Sequence, residues 1–404
     1  MQHLVQGLIT PEELTCAKGH VYPLLLIRLA LTWACEARTS YRGIALIFAS
    51  LRGIVAAVGP CAETIRVWLL RVGLFLLRRS VPRCSDWVFL VDLTIQLGTH
   101  KCLVVLGVPL SHLGRIGYSP DHHDVQVLSL EVLTHSNGRT VSRHLRQVAK
   151  RVGLPVQIVS DHGSDVLAGI RLFQRQNGNH GRIVDTHDIT HGLALLLKNQ
   201  LQPDPRWGSF VNACQSTRLQ LQQTVGSFLQ PPAWRSKARF LNLESHLRWA
   251  NDVLALLGGA VEEVLAKQIG RTEVQTRQWL EEHLGWLREY TGEVKAWSYF
   301  QRVVKDAEEE IKRAGLSRTS WRRIQCRLLE ENELPGKARI FRQQVLAFVK
   351  KEGAKVPIRQ RYLGSTDVLE SLFGKYKDLA QQAPTREITA NVLMVVIVNP
   401  ATFY

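Results

Sequence analysis

Two kinds of hydrophobic pattern divide the chain. In residues 1–83 apolar positions recur at helical spacing: Ile65, Trp68, Leu69 and Val72 stand at i, i+3, i+4 and i+7, one core-facing stripe. Pro11 followed by two glutamates opens a helix with early acids, Ser40–Leu51 reads as a second, and Gly59-Pro60 marks a turn before a third over Cys61–Gly73. A short helix, a turn and a second helix carrying Arg66 and Arg71 predict one of two things. One is a helix-turn-helix, whose second helix enters a major groove; the other is a plain helical hairpin packed on the next domain. Val21–Cys35 is interrupted by Arg28 and is shorter than the ~20 residues a membrane span needs, so it reads as a buried helix. Leu74–Arg83 reads as a basic linker.

Residues 84–202 change to strand patterns. Trp87–Gln96 is a continuous run of β-branched and aromatic residues around a central Asp92, the mark of a buried central strand. Lys101–Pro109 reads as a second strand after a hairpin, and the alternating Asp124–Leu133 as a third. An amphipathic helix with a basic outer face follows over Asn137–Val152, then a strand over Pro155–Asp161 and a helix over Ser164–Gln174. A short strand, Arg182–Asp185, and a helix, Ile189–Leu201, complete the set. Three strands joined by hairpins, then helix, strand, helix, strand, helix, is the order of an RNase H-like α/β fold with a mixed sheet. Residues 203–360, entered through Pro203 and Pro205, show helical patterning and hold seven of the ten tryptophans, a large all-α insertion. Most of these tryptophans are expected in its core, and one or two could stack on unpaired bases. Residues 361–404 return to the first pattern with a helix from Ser365 to Lys377 and an apolar tail. The domain plan is therefore 1–83 helical, 84–202 first part of the core, 203–360 insertion and 361–404 final helix and tail.

Composition changes the picture in two ways. With 45% hydrophobic and 21% charged residues the chain can bury a real core, and a formal charge of +16 points to a polyanionic partner, most simply nucleic acid. The seven cysteines form no CxxC pair and are odd in number, which argues for reduced thiols in the cytosol and against a disulfide framework or a zinc knuckle. No GxxxxGK[ST] loop and no serine elbow is present, which weighs against ATP-driven and serine-hydrolase chemistry.

A charge inside an apolar strand is costly unless compensated. Asp92 lies mid-strand, Asp161 at the end of the fourth strand, and Glu370 on the late helix; together they make an oxygen donor set for Mg²⁺ or Mn²⁺. Other candidates have plainer readings. Asp165 reads as a capping or surface residue, and His122-His123 as solvated. Asp188 and His191, three apart on a helix, suggest transition-metal ligands but read better as hydrogen-bonded or N-cap residues.

The stretches VFLVDLT, QIVSDHGSD and DVLESLFGKYK, in that order, resemble bacterial insertion-sequence transposases of the DDE class. The resemblance covers roughly residues 40–380. It implies catalytic, metal-binding roles for Asp92, Asp161 and Glu370, and a DNA contact for Lys377, seven positions after the glutamate. It also implies cleavage and strand transfer at the ends of a mobile element, and action as a homodimer or higher oligomer on nucleoid DNA in the cytoplasm, away from membranes. Thr366 stands where the Tyr-Arg-Glu-Lys signature of one subgroup has Arg. An RNase H-fold nuclease that cuts without joining, and a transposase-derived DNA-binding protein without catalysis, are the alternatives.

Overall fold

In this computed structural model the described residues are 14–16, 18–51, 59–97, 100–177, 183–234, 243–261, 263–328, 336–380, 390–393 and 396; the side chains of 94–97, 375–380, 390 and 391 are not among them. The chain divides into two compact units, Met1–Asp188 with Tyr362–Tyr404, and Ile189–Arg361. No helix among the described residues is long and apolar enough to cross a membrane.

The first unit is built on a five-stranded sheet. Its strands are β1 (Trp87–Leu97), β2 (His100–Pro109), β3 (Gln126–Leu133), β4 (Pro155–Ser160) and β5 (Val184–His187), in the spatial order β3-β2-β1-β4-β5. β1 and β2 pair antiparallel, and so do β2 and β3, which residues 110–125 connect. β4 and β5 add in parallel on the other edge of β1, reached through helical crossovers. This is the mixed RNase H-like sheet that the strand order implies.

Alternation along β1 sorts the two faces. Trp87, Phe89 and Val91 point into one cluster, with Val141, Leu145 and Val148 of helix α5 (Gly138–Val152) and Val166, Ile170 and Phe173 of α6 (Ser164–Gln176). Val88 and Leu90 point into the other, which also takes the helices α1 (Leu24–Cys35), α2 (Tyr41–Ser50), α3 (Ala62–Arg78) and α4 (Leu110–Ile116). Here Ala30, Ile44, Ile65, Leu69 and Leu113 are fully buried, so the N-terminal helices share the core of the sheet. The stripe read at Ile65, Trp68 and Leu69 is the face that α3 buries. Its apolar spacing continues through Leu76, so the helix runs to Arg78 and absorbs half of the expected linker. The expected turn, Gly59-Pro60, directly precedes α3 and its N-cap Cys61, whereas residues 52–58 between α2 and that turn lie outside the described residues.

Close packing at the back of the sheet depends on glycine. A Cβ on Gly169 of α6 would lie 2.5 Å from both Cβ and Cγ1 of Val141 on α5, far inside contact distance. Gly169→Ala is therefore expected to cost about 1–3 kcal/mol by overpacking. Gly208→Ala, in open space, should be neutral or slightly stabilising. Thermal unfolding followed by circular dichroism separates the two; an unshifted melting temperature for Gly169→Ala would contradict the packing.

The second unit is all helical: α7 (Ile189–Leu201), α8 (Pro205–Leu221), α9 (Leu243–Gly258), α10 (Glu263–Ile269), α11 (Glu273–Leu284), α12 (Thr291–Ala314), α13 (Ser320–Arg327) and α14 (Gly336–Ala354). Pro205 stands in the first turn of α8, behind Asp204 as N-cap. Trp207, Phe210 and Trp297 interlock at ring separations of 4.9–5.7 Å, so these tryptophans are core residues. Glu310, 2% exposed, is held by Arg323 and Arg313. Burial alone would raise its pKa; the two guanidinium hydrogen bonds outweigh that and hold the carboxyl below the usual range.

Candidate active site

Sheet register brings three carboxylates to one line. Val91 of β1 pairs with Ser160 of β4, and Ser160 pairs with His187 of β5. The next residue is Asp92, still within β1, and Asp161 and Asp188, each directly after the end of its strand. Adjacent strands are ~4.8 Å apart and residues in one row share a face, so these aspartates step across the C-terminal edge of the parallel strands. Asp92 is two positions beyond Leu90, on the face that carries α1–α4. It is 4% exposed, and its Oδ1 accepts the Leu93 N–H at 2.6 Å. The β1–β2 register shifts between Asp92 and Ile95, an irregularity of the kind that re-aims side chains beside functional sites. At Asp161 the strand breaks: Oδ1 accepts the Gly163 N–H at 2.9 Å, and His162 takes a left-handed φ of 57°.

Two buried polar clamps bring Glu370 to this edge. After the helical unit, the chain re-enters at Tyr362. Gln157, fully buried on β4, donates to the Leu363 carbonyl at 2.7 Å and accepts the Leu363 N–H at 3.0 Å. Its amide also donates to Thr186 Oγ1 on β5. Three residues on, Asp188 accepts hydrogen bonds from the backbone N–H and the hydroxyl of Thr366. Helix α15 (Asp367–Ala380) starts there and lays Leu369, Leu372 and Phe373 on the same cluster as Val88 and Leu90. Glu370 falls in its first turn, where the positive end of the helix dipole favours an anion. The carboxylates of Glu370 and Asp188 lie within 4.8 Å of each other. Neither Asp92 nor Asp161 belongs to that tight group.

The close partner of Glu370 is thus Asp188, a residue that sequence reasoning set aside as a hydrogen-bonding or capping group. It does hydrogen-bond, to Thr366, and it is also fully buried beside a second carboxylate. A signal was present: QIVSD and VDTHD each place an aspartate directly after a short apolar strand, as VFLVD places one within the longer β1. His122 also departs from expectation. It reaches Ser371, next to Glu370, through Nε2 at 3.0 Å and is only half-exposed. Asp165 accepts from the Ser136 hydroxyl and lies 3.8 Å from Lys101 Nζ, a role in holding the loop before α5.

The expected DNA contacts divide differently. The Arg66 guanidinium forms a two-pronged pair with Glu63 on its own helix, Nε–Oε2 at 2.9 Å and Nη2–Oε1 at 2.5 Å, so its fork is already engaged. Arg71, on the same helix, is exposed. The side chain of Lys377 lies outside the described residues. Burial pushes the thiols of Cys102 and Cys214 up to about 12, which removes both as nucleophiles near neutral pH.

The donor set at the sheet edge is rich in carboxylate oxygen, the set that hard divalent cations such as Mg²⁺ and Mn²⁺ take. No family model matches the chain, and no curated protein matches it. Among solved structures it is similar to the Drosophila P element transposase strand transfer complex, over 99% of this chain and 97% of that one, at 12% sequence identity and a TM-score of 0.49. No residue role is carried across at that level, and nothing in these comparisons is specific to bacterial insertion sequences.

Proposed function

We propose that the protein is a metal-dependent DNA transposase of the DDE type, acting by phosphodiester cleavage and strand transfer. The observation that carries this is Asp92 on β1 with Asp161 and Asp188 directly after the adjacent parallel strands β4 and β5, and Glu370 clamped beside Asp188. Asp92, Asp161 and Glu370 are the ligands the reading requires, and Asp188 joins them as a fourth carboxylate. These carboxylates would hold divalent ions, and the chemistry such ions would supply is activation of a water or a 3′-hydroxyl and stabilisation of the departing oxygen of a phosphodiester. The chain's own share is geometric. The strands fix the aspartates, and the Gln157–Leu363 and Asp188–Thr366 clamps fix the glutamate. The surplus of Lys and Arg suits a polyanionic substrate. Arg71 and Lys377 remain the candidate DNA contacts; Arg66 must first leave Glu63.

The test is incubation of the full protein with a labelled fragment of the DNA flanking its gene and a supercoiled target plasmid. Expected are a nicked end bearing a 3′-hydroxyl and a joined product, both in Mg²⁺ or Mn²⁺ and neither in EDTA. Nicking with no joined product would make the protein an RNase H-fold nuclease. Binding with no nicking in either metal would make it a non-catalytic DNA-binding protein.

A further inference from the structure

A second concentration of charge lies on the sheet face opposite the carboxylate row. Helix α5 turns Val141, Leu145, Val148 and Val152 into the back of the sheet, and every apolar side chain it carries is buried. Its outward face presents Arg139, Arg143, Arg146 and Lys150, all exposed and spaced i, i+4, i+7, i+11. The helix contains no Asp or Glu, and among the described residues no carboxylate pairs with any of the four.

The ridge continues at the C-terminal end of α5. Arg83 donates to the Lys150 carbonyl at 2.9 Å, tying the segment after α3 onto the helix end, and Arg151 donates to the Leu128 carbonyl of β3. Beside this tie is a cavity of about 300 Å³ whose lining includes Arg78, Arg79 and Arg151 and no acid.

The spacing selects the partner. From Arg139 to Lys150 the helix rises ~16 Å at 1.5 Å per residue. A DNA duplex carries a charge every ~1.7 Å of its axis. A single small anion would engage the cavity alone and leave the ridge unexplained. A lipid surface would call for exposed apolar residues among the cations, and α5 exposes none.

We propose that the outward face of α5 and the arginine-lined cavity form a second surface for the backbone of duplex DNA, separate from the carboxylate edge. The choice of DNA among polyanions rests on the transposase reading. The surface grips duplex across the sheet from the strand being cut, so one chain holds DNA that it does not cleave. Contacts of this kind go to phosphates and carry no sequence preference.

The experiment is a salt titration of the full-length protein binding a labelled duplex of arbitrary sequence, read by fluorescence anisotropy. Each phosphate contact adds ~0.9 to the slope of log K against log salt. The variant R139Q/R143Q/R146Q/K150Q should therefore lose about 3–4 from that slope while keeping its melting temperature. A control, R248Q/K267Q/K305Q/K337Q, removes the same charge from exposed positions of the helical unit and should lose less than about 1. Equal losses in the two variants, or none in the first, overturn the proposal. So does a wild type that prefers an RNA duplex through the same four residues. If the wild type never cleaves DNA yet the slope falls as stated, the surface stands and the catalytic reading fails.

Discussion

Asp92→Asn should abolish metal-dependent strand cleavage while leaving DNA binding close to wild type. The carboxylate is almost fully buried in the central strand, in line with Asp161 and Asp188. The amide fills the same volume, so the strand and its ladder survive the change. What disappears is one negative charge from the proposed metal shell. Metal stabilisation of a transferring phosphoryl group is worth several kcal/mol, and ~4 kcal/mol corresponds to roughly a thousandfold in rate. A second readout separates a lost ligand from a damaged fold. Carboxylates gathered at one edge repel each other without a cation, so in EDTA the variant should unfold at or above the wild-type temperature. Adding Mg²⁺ should raise the wild-type melting temperature, because the metal binds only the folded state, and should raise the variant's much less. Cleavage at the wild-type rate by Asp92→Asn would remove Asp92 from the mechanism. A large fall in its melting temperature in EDTA would instead give Asp92 a structural role.

The parts of this architecture that were legible in the sequence are those fixed by local patterning. The run Trp87–Gln96, the alternation before Leu133 and the amphipathic stretch before Val152 each carry a period strong enough to name the element, and each forms it. The short helix α4 (Leu110–Ile116) was not visible, since seven residues between two strands carry too little periodicity to register. Burial of the Asp92 strand followed from its continuous apolar run. The neighbour of Glu370 was not legible, because it depends on register between β4 and β5 and on where the chain returns after the helical unit. Both are set by tertiary contacts, Ser160 against His187 and Gln157 against Leu363, that no local window contains. Arg66 illustrates the same limit on a smaller scale. Its exposure on a helix suggested a free base contact, yet Glu63 one turn earlier is close enough to occupy it.

Asp188 should prove to be both an anchor and part of the site, and two substitutions pull these roles apart. Its side chain is fully buried and accepts from the N–H and the hydroxyl of Thr366, the residue that precedes the helix carrying Glu370. Asp188→Ala leaves both donors buried without an acceptor, at about 1–3 kcal/mol each. A total loss of roughly 2–6 kcal/mol is expected, read as a lower urea midpoint with an unchanged m-value. Thr366→Val removes only the hydroxyl and keeps the shape. It should cost about 1.5–3 kcal/mol, the worth of a hydrogen bond to a charged group. If the two residues act through their shared contact, the double variant costs less than the sum, and the difference measures the clamp. Catalysis then divides the variants. Thr366→Val keeps the carboxylate beside Glu370, so it should cleave DNA within about tenfold of wild type, as expected for a positioning contact. Asp188→Ala removes a charge from the group within 4.8 Å of Glu370 and should cleave at least about a hundredfold more slowly under conditions where it is still folded. Equal cleavage losses in the two variants would reduce Asp188 to an anchor for α15. A normal rate for folded Asp188→Ala would place the chemistry on Asp92, Asp161 and Glu370 alone.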